Sequence, residues 1–457
     1  MFSRDLLTRP QSPSGRLYSL PPGEAGARPE ASGESETTRS RMRILWFIDL
    51  DYESGMQHGG NLRFFNLSQE LIAKGHQVYF CVCRRRTDQP ERKRNYLEAL
   101  KRQGVISGYF ETEYEYPKLR GKISHIIGYP GIANRLLDKF QEPTKAAVAR
   151  IVADKRIDLC LLSDRRMLFL LSDLQRQARV LIDWIDSYVL YELRRIPLLW
   201  RARDFRGFAK AVRLLVDAYE VESYYGRRCA ANLVVSPKDK KCFDSITKAP
   251  ERSGVLLNGV AAPPSSPQSA SPPVAKLSNQ IIFTGTMSFP PNYEAAIWFI
   301  DHVWPLLLKR RDGLKLVIAG ANPVPALLDR AGGQIEVKGY VDDLALEIAR
   351  SAVYVAPLIS GGGFKNKVVE AIINGTFVVA TSMSVEFLDA ELQNQLLIAD
   401  TPEDFARHVL AYLDNPPEYE ARLRAVKGII EREFTWEHRA EQLIRIAGEV
   451  EYKGKGA

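Results

Sequence analysis

The chain predicts an α/β protein made of two doubly wound parallel-sheet units, and three features of the sequence predict it. Apolar strand-like runs alternate with helical periodicity from Met42 to about Val260. A Pro/Ser/Ala stretch, AAPPSSPQSASPPVAKLS, then breaks the pattern, and the same alternation restarts beyond it. At 457 residues, 45% hydrophobic and 26% charged, the composition is that of a globular protein with room for two or three domains.

The first unit opens with RILWFIDL as a strand and a glycine-bearing loop through His58, Gly59 and Gly60. A helix from Asn61 to Lys74, closed by Gly75, and the strand QVYFCVC follow. Gly59 and Gly60 sit at the helix amino end, where an anion or sugar can approach the backbone. After a basic irregular stretch come the helix KAAVARIVADK and the strand DLCLLSD, with Ser163 and Asp164 at its carboxyl end. The strand ARVLIDWID then ends at Asp183, Asp186 and Ser187. An arginine-rich helical region leads to ANLVVS and a final strand expected around Leu256 to Val260.

Residues 261–278 lack periodicity and read as a linker. The second unit supplies five strand candidates, IIFTGTM, LKLVIAG, IEVKGYV, VYVAP and FVVAT, with helices such as NYEAAIWFIDHVWPLLLKR between them. FTWEHRAEQLIRIAGEV forms an amphipathic helix at the end. Residues 1–41, rich in Pro, Gly, Ser and Arg, are expected to be a disordered extension, and Met42 reads as an alternative start.

The most informative segment runs from Val355 to Ser382. It joins a short strand, a turn of Gly361, Gly362 and Gly363, a helix expected from Phe364 to Asn374, and the strand FVVAT. A glycine turn alone merely reverses a chain. Here it lies at the carboxyl end of a strand in a βαβ unit, where open α/β sheets bind ligands. Backbone N–H groups and the helix dipole attract phosphate at that helix start, and Lys365 and Lys367 add full charges. Glu370, one to two turns further on, is placed to accept hydrogen bonds from ribose hydroxyls.

A net charge of +8 and a pI near 9.1 suit anionic partners, whether nucleotides, acidic lipid or nucleic acid. Zinc-finger spacing and aromatic RNA-binding signatures are lacking, so nucleic acid is not expected. The cysteines Cys81, Cys83, Cys160, Cys229 and Cys242 have no metal-ligand spacing and fit a reduced, cytoplasmic protein. No apolar run approaches the ~20 residues of a membrane span. Basic clusters at Arg84–Arg86, Arg92–Arg94 and from Arg194 to Arg213 interleave, in the last case, with Leu198, Leu199, Trp200, Phe205 and Phe208. That pattern suits peripheral contact with an anionic membrane on its inner face, or equally a solvated basic helix.

The motifs GGGFKNKVVEAIINGTFVVAT, FTGTMSFPPNYEAAIWF, GYVDDL, HGGNLRFFNLSQELIAKGHQV and the terminal FTWE resemble the retaining nucleotide-sugar glycosyltransferases of family 4. The resemblance spans roughly Met42 to Val450, and its most specific part, GGGFKNKVVEAIINGTFVVAT, looks like the donor-binding segment of bacterial sugar transferases associated with exopolysaccharide loci. The resemblance implies the GT-B arrangement. Two Rossmann-like doubly wound domains, residues 42–260 (acceptor) and 279–430 (donor), face each other across a cleft, with residues 431–450 as a crossover helix returning to the first domain.

It further implies that Lys365, with Lys367 or the backbone of Gly363 and Phe364, contacts the diphosphate of a UDP- or GDP-linked donor, with Gly362 in the same loop and Glu370 on the ribose. Gly339, Tyr340 and Val341 would lie against the base, Gly285 and Thr286 near the diphosphate, and Gly59 and Gly60 across the cleft. Two departures stand out. Gly362 occupies the place of the family's first glutamate, and a family histidine at the end of an amino-terminal strand has its nearest counterpart in Ser163–Asp164, which nominates Asp164. The implied chemistry is metal-independent transfer, with no cofactor beyond the donor itself, to a glycan or lipid-linked acceptor. Asp342 and Asp343 are read as helix caps rather than a metal pair. A non-catalytic nucleotide-sugar-binding subunit and a sugar-nucleotide epimerase on the same plan stay open as alternatives.

Overall fold

The computed structural model describes residues 41–50, 59–84, 90–113, 141–260 and 274–450. Residues 1–40 of the expected extension, His58, Arg85, Arg86 and residues 261–273 of the expected linker lie outside these.

Strands β1 (Arg43–Ile48), β2 (Gln77–Arg84), β3 (Gly108–Glu113), β4 (Leu159–Leu162), β5 (Arg179–Ile185), β6 (Ala231–Val234) and β7 (Ser253–Val255) form one parallel sheet in the order β3-β2-β1-β4-β5-β6-β7. Crossovers include helices α1 (Gly59–Ala73), α2 (Pro90–Arg102), α3 (Glu142–Asp154), α4 (Tyr188–Arg201), α5 (Phe205–Gly226) and α6 (Pro237–Thr247). Such a sheet is covered on both faces, which is why its strands read as unbroken apolar runs. Along β1, Ile44, Trp46 and Ile48 enter one core and Leu45 and Phe47 the other.

The second sheet contains β8 (Leu277–Thr284), β9 (Lys315–Ala319), β10 (Ile335–Gly339), β11 (Ser351–Ala356), β12 (Phe377–Ala380) and β13 (Leu397–Ile398), ordered β10-β9-β8-β11-β12-β13 and parallel throughout. Its helices include α7 (Pro290–Trp298), α8 (Leu344–Arg350), α9 (Asn366–Ile373), α10 (Pro402–Asp414) and α11 (Pro416–Glu433). Beyond Trp298 the α7 helix passes through a π turn, Phe299–Val303, before Trp304–Leu308. Pro305 lacks an N–H, and the widened turn ahead of it accommodates the lost ladder bond. Both sheets belong to one contact-defined unit.

Three boundaries differ from expectation. β8 begins at Leu277, inside the stretch read as linker, because backbone pairing of Leu277 with Ser351 extends the strand beyond its apolar run. No strand forms over Leu256 to Val260. Arg63 of α1, fully buried, donates from Nη1 to the carbonyl of Leu256 at 3.0 Å and to Asn258 Oδ1 at 2.9 Å, so a side chain takes what a ladder would use. The terminal helix α12 (Trp436–Glu449) starts later than residue 431, since α11 runs to Glu433 and keeps Val426 and Ile430 in the second core.

Helix α12 buries Trp436, Ala440, Leu443 and Ala447 in the first domain's core with Met42, Trp46 of β1 and Leu71 of α1. Thr435 caps it, accepting from the His438 N–H at 3.2 Å. The chain therefore crosses between the sheets twice, and the crossings touch. Val260 N–H donates to the Phe434 carbonyl at 2.6 Å, and Trp436 N–H donates to that of Val260 at 3.3 Å.

Candidate active site

β8 and β11 are neighbours in the second sheet, yet two strands separate them in sequence, so the loops leaving their carboxyl ends turn to opposite faces and open a crevice. One loop carries Gly285 and Thr286, the other Gly361 to Lys365. Backbone packs closely at the crevice: Gly285 N–H donates to the Ala319 carbonyl at 3.1 Å and Gly320 N–H to that of Gly339 at 2.7 Å. A Cβ on Gly320 would overlap the Gly285 carbonyl, and one on Gly285 would lie 2.6 Å from Asn292 Nδ2 and 2.9 Å from Lys367 Nζ.

Lys367 is thus seated against the β8 loop. Its ammonium donates to Asn292 Oδ1 and lies 4.9 Å from the Phe283 ring centroid. Burial, then the positive charge of Lys365, push its pKa down to about 7. Glu370 lies next along α9. Burial raises its pKa and Lys367 opposes that shift. Tyr354, whose hydroxyl bonds Thr284 Oγ1 at 2.8 Å, closes the floor.

Helix α9 starts at Asn366, two residues later than expected, because Lys365 is its N-cap with φ −99° and ψ 78°. The Lys365 ammonium folds back onto the carbonyls of Gly362 at 2.5 Å and Gly363 at 2.9 Å, and the residue is only 6% exposed. Burial lowers its pKa against the pull of Glu386, Asp186 and Asp239. Phe364 anchors the loop by packing on Phe387, centroids 4.3 Å apart.

Asp186, which sequence reasoning named only as a strand end, stands against this loop from the first sheet. Gly363, at φ +72°, faces it so closely that a Cβ there would lie 2.6 Å from the Asp186 Cγ. The preceding Ile185 has φ +63°, a costly conformation for a β-branched residue, at a register break between β5 and β6. That turn aims Asp186 across the cleft. Burial, then Asp239, push its pKa up to about 6.

Asp239 accepts from Ser187 N–H at 3.0 Å and bonds Ser236. Its Oδ1 lies 3.7 Å from a Cβ built on Gly362, so a carboxylate of the first domain approaches the position where the resembled family places a glutamate. Arg194 of α4 completes the contact. Its guanidinium grips Glu386 at 2.6 and 2.7 Å and the Gly361 carbonyl at 2.8 Å. Tyr191 stacks on Phe289 with centroids 6.5 Å apart, and Asn258 donates to Asn366 Oδ1 at 3.1 Å.

The remaining candidates divide. Gly339 ends β10 and Tyr340 and Val341 follow it, on the same carboxyl edge with β9 and β8 between them and β11, and Tyr340 is exposed. Gly59 and Gly60 are the first residues of α1. Asp343 caps α8, accepting from Leu346 N–H at 2.8 Å. Asp164 is engaged elsewhere, since its carboxylate caps the turn Arg165–Leu170 and pairs with the Arg166 guanidinium at 2.6 Å. The carboxylate that reaches the glycine loop belongs to Asp186. Its signal was a second aspartate three residues after Asp183, just past the end of an apolar strand. Asp183 itself turns inward, to Arg63 at 2.9 Å.

Residues 278–415 match the family described as glycosyl transferases group 1. An uncharacterized 44.6 kDa protein in the cps region of Klebsiella pneumoniae is 30% identical over 144 residues, 30% of this chain and 37% of that protein. A phosphatidyl-myo-inositol mannosyltransferase of Mycobacterium leprae is 30% identical over 190 residues, 40% of this chain and 49% of that one. The matches thus span half or less of these relatives' lengths. Anabaena Alr3699/HepE, solved in complex with UDP and glucose, superposes with a TM-score of 0.60 at 12% identity, over 90% of this chain and all of that one. The chain has the GT-B fold, and the match to glycosyl transferases group 1 lies within its second domain.

Proposed function

We propose that the protein is a retaining glycosyltransferase that moves a sugar from a nucleoside-diphosphate donor to a glycan or lipid-linked acceptor in bacterial exopolysaccharide or cell-envelope synthesis. The carrying observation is the convergence of Gly285, Thr286, Lys365 and Lys367 at the switch point of the second sheet. The cps-region relative and the UDP complex of the structural neighbour support it.

In this reading Lys365, Lys367 and the α9 amides hold the diphosphate and stabilise the charge that develops as it leaves. Glu370 accepts from ribose hydroxyls, and the residues after β10 meet the base. A leaving-group oxygen takes the acceptor proton on the same face of the sugar, so the transfer retains configuration and needs no metal. Asp186 and Asp239 compensate Lys365 until the donor arrives. Proton NMR of the product with a single donor and acceptor reads the anomer directly, and unchanged turnover in EDTA checks the metal. An inverted product or loss of activity in EDTA would overturn those points.

One observation bears on the non-catalytic alternative: Gly362 lacks the family carboxylate. Asp239 brings one to the same place from the other domain, which favours turnover.

A further inference from the structure

Helices α4 and α5 form a hairpin on the first domain, and its tip is unlike the rest of that domain's surface among the described residues. Trp200 and Phe205 are 59% and 61% exposed, yet they are held together. Their rings meet edge to face at 5.9 Å, and Phe208 packs on Trp200 at 5.3 Å. The turn between the helices is fixed by Arg203 at φ +58° and by Asp204, which caps α5 by accepting from Gly207 N–H at 2.8 Å. Val212, Val216 and Tyr219 continue the exposed apolar surface along α5, and Leu193 lies exposed on α4.

Around this knob basic charge predominates. Residues 200–216 hold Arg201, Arg203, Arg206, Lys210 and Arg213 against Asp204 and no other acidic residue, and Arg201, Arg203 and Arg206 make no ion pair among the described residues. We infer that the α4–α5 tip docks on an anionic lipid surface, with Trp200 and Phe205 entering the interface and the arginines meeting lipid phosphates. Tryptophan favours that layer, and each nearby basic side chain adds attraction to acidic headgroups. A second copy of the chain is a poor occupant, because a symmetric contact would set these arginines against themselves.

Docking there has a consequence for the cleft, and this part rests on the transferase reading. Arg194, which grips Gly361 and Glu386, lies on the same helix as Trp200, about 9 Å along its axis. The surface that holds the membrane is therefore joined through one helix to the mouth of the donor site, and the acceptor served is one anchored in lipid.

The experiment is co-flotation of the full chain with phosphatidylglycerol/phosphatidylcholine vesicles and with phosphatidylcholine alone, at low salt, beside two variants, Arg201→Glu/Arg203→Glu/Arg206→Glu and Trp200→Ser/Phe205→Ser. Circular dichroism confirms that each is folded. The wild type should float with the acidic vesicles only. Charge reversal should weaken partition by on the order of a hundredfold, and the aromatic variant should also be lost from the lipid fraction. No flotation of the wild type, or variants that float as it does, overturns the proposal. So does binding of homopolymeric RNA through the same arginines without flotation. Flotation with no nucleotide binding in a parallel titration would leave the docking surface standing and sink the transferase reading.

Discussion

At the scale of single residues, the site is a balance of buried charge. Lys365 is surrounded by Asp186, Asp239 and Glu386, so the lysine expected to hold phosphate is compensated by carboxylates. Lys367 has only Glu370 to offset its burial and the charge of Lys365, and its pKa is pushed down to about 7. A diphosphate beside it favours the charged form. Donor binding should therefore take up protons near neutral pH, and affinity should fall as the pH rises above about 7. Titration calorimetry in two buffers of different ionisation enthalpy checks this, and an apparent enthalpy independent of buffer would refute it. The lysines, Glu370 and the glycines could be nominated from the sequence because they lie within one segment with its own periodicity. Asp186 could not, because its role depends on a backbone turn at Ile185 and on a loop almost 180 residues away.

At the scale of elements, the glycine loop is shaped by what faces it. A side chain at Gly363 meets the Asp186 carboxylate and a left-handed backbone, whereas at Gly362 the nearest atom lies 3.7 Å off. Gly363→Ala should thus destabilise the protein by about 1–3 kcal/mol from overpacking alone and weaken donor binding. Gly362→Ala should stay near wild type. Thermal unfolding of the pair measures the contrast, and equal effects would contradict the geometry.

The buried pair of Arg63 and Asp183 is a second test. Arg63→Met leaves Asp183 buried and unpaired and should cost about 3–5 kcal/mol. Denaturant unfolding would show it, and a change under 1 kcal/mol would argue against the pairing. Local patterning gave the doubly wound plan, since both faces of each sheet are covered and apolar runs mark the strands. It failed over Leu256 to Val260, where a buried arginine from α1 takes the backbone acceptors. Periodicity describes an element's own residues and is silent about a distant side chain.

At the scale of the whole molecule, the two sheets are joined by a double chain crossing at Val260 and Phe434–Trp436, and by a clamp in which Arg194 spans the cleft. Cutting the clamp should favour an open form. Arg194→Ala is expected to increase the radius of gyration in small-angle scattering and to weaken donor binding, while the fold of each domain persists. An unchanged scattering profile with unchanged affinity would mean that the contact does not govern closure. The central claim is that the crevice between β8 and β11 holds a nucleoside-diphosphate sugar through Lys365. It is tested most directly by calorimetric titration of UDP, GDP and ADP and their common sugar conjugates into the wild type and Lys365→Ala. The expected result is binding of one nucleotide by the wild type and loss of about 2–4 kcal/mol in the variant, the scale of a removed charge-stabilising donor. Equal binding by both proteins, or binding of no nucleotide by the wild type, would contradict it.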